Sequence, residues 1–167
     1  MQISFDLSIF WAVRERTEEK KGELYVSPGD KFRAEVGHTI WVSDGQTYWQ
    51  YSKAANQVVI KDLLDVDLSM HPSQMLQNYL NKGSFKLVKE GDELTEFSWE
   101  SQNSASSESL TLWLDSKKGI IRKIKVVDRN GNISTYTFKK SRIGIDIPNK
   151  TFTLTAPEGA NVLDTRE

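Results

Sequence analysis

Cysteine is absent from the chain, and histidine occurs only twice. The first absence excludes disulfide cross-links, thiolate catalysis and cysteine-ligated zinc, and it fits either redox compartment. His38 and His71 stand without HExxH spacing or a neighbouring ligand, so neither marks a metal centre. There is no glycine-rich phosphate loop, nucleophile elbow or recognisable carboxylate pair, which leaves an enzyme as the minority expectation and no cofactor implied. The acidic run DLLDVDL, with Asp62, Asp65 and Asp67, lacks the glycine and closing glutamate of a calcium loop and reads as a solvated connection. An excess of one charge is missing too. The 22 basic and 23 acidic residues leave a net charge of -1, so no general attraction to nucleic acid follows and none is expected as a partner. No apolar run is long enough to span a bilayer. The opening MQISFDLSIF lacks the basic-then-apolar layout of a signal peptide, and because Met1 fits an added initiator on a trimmed segment, that absence does not decide whether a precursor carried one.

What is present is alternation. Ile3, Phe5, Leu7, Ile9, Trp11 and Val13 recur at period two against Gln2, Ser4, Asp6 and Ser8, which predicts a long half-buried strand. Shorter strands are expected at 24–26, 32–36, 39–43, 46–51 and 57–61, then at 85–89, 94–99, 110–114, 120–127, 133–140 and 152–154. Gly, Pro and Asn-Gly or Asp-Gly turns separate them, an antiparallel meander. One helix is expected, over HPSQMLQNYLNKG, with Met75, Leu76, Tyr79 and Leu80 as its apolar stripe and Gly83 at its end. The polar stretch SQNSASSES reads as a loop. In KKGIIRKIKVV, Lys123 and Lys125 fall on one side of a strand and Arg122 on the other, a solvated outer face by preference over an anion site. Nothing divides the 167 residues, so one domain, 1–167, is the simplest organisation.

The hairpin TIWVSDGQTYWQYS is dense in aromatics. With Asp44-Gly45 as a type I′ loop, Trp41 faces Tyr48 and Ile40 faces Trp49. Ile40, Val42, Trp49 and Tyr51 then share an apolar face that needs cover. About a dozen strands at roughly 4.8 Å spacing make a sheet wider than one short helix can shield. Either a filled barrel or sandwich hides that face, or a partly closed one leaves an apolar cavity for a ligand.

The order GELYVSPGDKFRAE, then WVSDGQTYWQYSKAANQVVI, VVDRNGNISTYTF and FTLTAPEGANVLD resembles the periplasmic outer-membrane lipoprotein carriers of the LolA type. The matching positions include Gly22, Leu24, Pro28, Phe32, Arg33, Val42, Ser43, Asp44, Gly45, Trp49, Tyr51, Gln57 and Val58. The resemblance implies a mainly β fold: a strongly curved antiparallel sheet forming an incomplete barrel, with helices as a lid over its concave face. It implies a non-enzymatic carrier whose cavity shelters the acyl chains of lipoproteins, with Leu24, Phe32, Ile40, Val42, Trp49 and Tyr51 as lining and Met75, Leu76, Tyr79 and Leu80 as lid. Each buried methylene is worth about 0.8 kcal/mol, so an aqueous escort needs such a cavity. Implied partners are acylated lipoproteins, an inner-membrane exporter and an outer-membrane receptor, met in the periplasm. A lipid- or lipoprotein-sensing module of the same fold is the alternative. Ser27 stands where the family has a lid-latching arginine and Ala34 where it has a tryptophan; one extra residue separates Pro28 from Phe32, and the family's first helix is not seen. An open resting state is the expectation.

Overall fold

The computed structural model describes residues 1–66, 79, 81–101 and 108–166. Its strands are β1 (Gln2–Trp11), β2 (Arg16–Ser27), β3 (Lys31–Val36), β4 (Thr39–Asp44), β5 (Thr47–Ser52), β6 (Gln57–Asp62), β7 (Gly83–Lys89), β8 (Leu94–Ser101), β9 (Ser109–Asp115), β10 (Ile121–Val127), β11 (Ile133–Arg142) and β12 (Asn161–Asp164). They form one sheet in the order β12-β6-β5-β4-β3-β2-β1-β11-β10-β9-β8-β7. The two ends of that order are different strands, so the sheet is open, and the mainly β class expected from alternation holds. Two compact units divide the chain: Met1–Phe5, Lys20–Val66 and Lys140–Glu167 in the first, Asp6–Glu19 and Asp67–Lys139 in the second.

In the first unit, β2 to β6 run as antiparallel neighbours. The β4-β5 hairpin differs from its predicted register. Ile40 pairs with Tyr51, Val42 with Trp49 and Ser43 with Tyr48, so the loop is Gly45-Gln46. Asp44 is the cause: its Oδ1 accepts the N–H of Gln46 at 2.9 Å and of Thr47 at 2.8 Å, which holds it as the last strand residue. Gly45 alone takes a positive φ, +98°, and so stands first in the loop, where a type II′ turn carries its glycine. Pairing sums shift by two, an even slip, so every side chain keeps its expected face.

That register extends across β3 and sorts the expected lining residues onto two faces. Phe32 pairs with Ser43 and with Val26, and Ala34 with Trp41 and with Leu24. Leu24 and Phe32 therefore lie on the side of Trp41 and Tyr48, opposite to Ile40, Val42, Trp49 and Tyr51. The latter side continues into Val58 and Ile60 on β6. It is covered by the chain's own C-terminal segment. Asn149–Phe152 forms a 3-10 turn against β3 and β4, and Lys31, on the Val42 side, donates from Nζ to Asn149 Oδ1 at 3.2 Å. Phe152 is 1% exposed. It is thus a buried plug in a helical turn rather than part of the strand expected at 152–154. The strand that alternation missed is β12, exposed throughout and parallel to β6.

In the second unit β7 to β11 pair in sequence order. β1 ends at Trp11, and Val13, 90% exposed, lies in the following turn instead of extending the strand. A bulge between Ile121 and Lys123 interrupts β10. It turns Arg122 to Asp115, with Nη2 to Oδ2 at 2.8 Å, so Arg122 serves an ion pair within the β9-β10 corner rather than an independent face. Of the expected helix, Tyr79, Asn81 and Lys82 are helical, and Gly83 already opens β7. Met75, Leu76 and Leu80 lie outside the described residues, as does most of SQNSASSES.

Candidate functional site

Cross-strand partners share a face, so the second unit's registers sort its side chains into two sets. Phe85 pairs with Trp99, Trp99 with Leu110, Leu110 with Val126; one step along, Leu87 pairs with Phe97, Phe97 with Leu112, Leu112 with Ile124 and Ile124 with Tyr136. All of these are apolar or aromatic. On the other face, Lys89, Glu96, Trp113, Lys123 and Thr137 form one row, and Lys86, Ser98, Thr111, Lys125 and Thr135 the next. Asp6 Oδ2 meets Lys139 Nζ at 3.1 Å, which puts Asp6 on the lysine side. By alternation Leu7, Ile9 and Trp11 then stand on the apolar side.

The apolar face has a buried floor and a wet margin. Trp99, Leu110, Leu112 and Ile124 are buried, whereas Tyr79, Phe85, Phe97, Leu114, Ile121, Val126, Tyr136 and Phe138 pack against them only partly covered. Leu87 at the edge is 56% exposed. Full burial of one such side chain is worth about 1.5 to 3 kcal/mol, so a row of half-buried ones leaves substantial stabilisation to be gained by an apolar ligand. Among the described residues, no group of three or more His, Asp or Glu is placed to hold a metal.

Trp99 organises this face. Its Nε1 donates to the Tyr79 carbonyl oxygen at 2.8 Å, and the Tyr79 ring meets the indole edge-on at 5.1 Å between centroids. Gly83 makes room for it, since a Cβ there would lie 2.5 Å from the indole and 2.1 Å from the Glu100 carbonyl oxygen. Burial raises the pKa of both Tyr79 and Tyr136, so their hydroxyls stay neutral on this apolar side.

The opposite face is held by charge. Lys123 Nζ sits 4.5 Å over the Trp113 ring, whose Nε1 donates to Glu96 Oε2 at 3.1 Å. Lys86 pairs with Glu100. Arg122 and the backbone N–H groups of Lys118 and Lys117 lower the Asp115 pKa. Lys123 and Lys125 both stand on this charged face, half-buried.

In the first unit, the predicted lining residues are divided. Ile40 and Val42 are core, Trp49 and Tyr51 flank them half-buried, and only Leu24 and Phe32 join the other side. There Phe32 packs on Tyr48 at 6.4 Å between centroids, and burial pushes the Tyr48 hydroxyl up to about 12. A cavity of about 320 Å³ opens beside the C-terminal turn, lined by Lys31, Asp44, Gly45, Asn149 and Phe152 among others. Of the predicted lid, Tyr79 is placed against Trp99. The floor of the second unit was not singled out from sequence, although the signal was present: LTEFSWE and SLTLWLD alternate in phase with IKVV and STYTF.

Comparison with known proteins gives a consistent answer. The family model described as outer membrane lipoprotein carrier protein LolA matches residues 2–155. The outer-membrane lipoprotein carrier protein of Wigglesworthia glossinidia brevipalpis is 26% identical over 154 residues, covering 89% of this chain and 72% of that protein. That of Alkalilimnicola ehrlichii is 27% identical over 155 residues, covering 88% and 69%. Among solved structures, the complex of Pseudomonas aeruginosa MucA/MucB matches with a TM-score of 0.51 at 13% identity, covering 93% of this chain and 56% of that one, a likeness of fold.

Proposed function

Because the chain belongs to the outer-membrane lipoprotein carrier family, LolA, we propose that it is a periplasmic carrier that holds the acyl chains of lipoproteins on an apolar surface and escorts them from inner to outer membrane. The observation that carries this is the half-buried apolar face of the second unit, floored by Trp99, Leu110, Leu112 and Ile124. Acyl chains are flexible hydrocarbon without polar groups along their length, and such a face asks for nothing else. No covalent step is needed: loading from an inner-membrane exporter and release to an outer-membrane receptor require only graded affinity.

The test is displacement of an environment-sensitive apolar dye. A triacylated lipopeptide is expected to compete the dye off, and the same peptide without acyl chains to leave it bound. Equal behaviour of the two peptides, or an apo protein that binds no dye, would overturn the carrier role.

A further inference from the structure

Among the described residues, one buried side-chain nitrogen or oxygen has no hydrogen-bond partner, the indole Nε1 of Trp11. A buried donor left unpaired costs about 1 to 3 kcal/mol, so its retention calls for a reason. Trp11 ends β1 on the apolar side of the second unit, the side of Leu7 and Ile9. Its backbone is fixed on both flanks: the Trp11 carbonyl oxygen accepts the Arg14 N–H at 3.2 Å, and the next residue, Ala12, donates its N–H to Asn132 Oδ1 at 3.0 Å. The indole is therefore presented from an anchored position, and its N–H can donate but not accept.

We propose that Trp11 Nε1 is the docking donor for the acyl carbonyl of a bound lipid, the carbonyl oxygen of the ester that joins the hydrocarbon chain to the glyceryl group. This rests on the carrier reading and adds to it a polar end point. The hydrocarbon lies along the apolar face, and the carbonyl acceptor that must follow it in meets a donor kept without a partner. Entry of the chain parts the side chains that shut the nitrogen from water, so donor and acceptor lose solvent together. The pairing sets the depth to which a chain slides, because an apolar wall alone gives no register.

The experiment compares two synthetic lipopeptides of equal chain length, one with ester-linked acyl chains and one with ether-linked alkyl chains, which lack the carbonyl. The protein is expected to bind the ester form about five- to tenfold more tightly, the ratio that one net hydrogen bond produces. In Trp11→Phe the two affinities should converge within about twofold. A second readout needs no variant: the Trp11 indole N–H proton resonance should move downfield with the ester ligand and stay with the ether. Equal affinities in the unaltered protein, or a preference that survives in Trp11→Phe, would overturn the docking role while leaving the carrier reading intact. If neither lipopeptide binds, the carrier reading itself fails.

Discussion

Two glycines lie where an aromatic side chain occupies the space a Cβ needs. At Gly22 the added carbon would fall 2.2 Å from Phe5 Cζ, and at Gly83 it would meet both the Trp99 indole and a backbone oxygen. A ring can tilt, whereas the oxygen belongs to the paired strand. Gly83→Ala is therefore expected to lose roughly 2 to 3 kcal/mol, and Gly22→Ala nearer 1, read as shifts in urea midpoint at constant slope. Tyr48 makes a pH prediction. Its folded pKa lies above the unfolded value of 10.0, so it contributes no pH dependence below that value. As pH climbs from 10 towards about 12, the unfolded chain loses its proton first and stability falls. Tyr48→Phe should flatten that alkaline decline in denaturation midpoints. Residue faces were legible in the sequence to the extent that alternation governs them. The hairpin's faces survived although its loop moved by one residue, because a carboxylate capping two N–H groups outweighed the Asp-Gly signal. What alternation could not give was the phase between neighbouring strands, and on that phase Leu24 and Phe32 parted from Ile40 and Val42.

Elements whose ends are set by side-chain chemistry were the harder ones to bound. Charged Arg16–Lys21 gives no apolar signal, yet it extends β2, while apolar Val13 fits the period of β1 and lies beyond it. Phe152 alternates with Leu154, but Pro148 and Asn149 lead into a 3-10 turn, and burial there needs one anchor rather than a ladder. The β10-β11 corner was readable from Asn130-Gly131, and its stability rests on Asp128. One carboxylate oxygen accepts the N–H of Asn130 at 2.8 Å and of Asn132 at 2.9 Å; the other takes the Asn132 side chain at 2.9 Å. Those bonds, the Asn132 side chain foremost, lower the Asp128 pKa. The stabilisation is thus present above the unfolded carboxylate range and lost as pH falls through the lowered folded value. Asp128→Asn is expected to shrink the loss of stability as pH falls below the unfolded carboxylate value of 3.8, when unfolding midpoints are compared with the unaltered protein.

For the molecule as a whole, an open sheet with an incompletely covered apolar face should gain stability from its cargo. Saturation with acylated peptide at a hundred times its dissociation constant is expected to add about 2.7 kcal/mol, seen as a concentration-dependent rise in melting temperature that the unacylated peptide does not reproduce. The fold class and the family were legible because motif order and strand alternation run the length of the chain. The apolar floor of the second unit was overlooked because its residues are ordinary strand hydrophobics, distinguished only when five strands are set side by side. The sheet order holds one further consequence. β1 is made first, yet it lies between β2 and β11, and the Ala12 N–H to Asn132 bond spans 120 residues. Within β2 to β6 and within β7 to β11 each strand pairs with its neighbour in sequence and can do so as it emerges; β1 keeps one edge unmated until β11 has been made. A nascent chain therefore stays pliable until the eleventh strand arrives to claim the first.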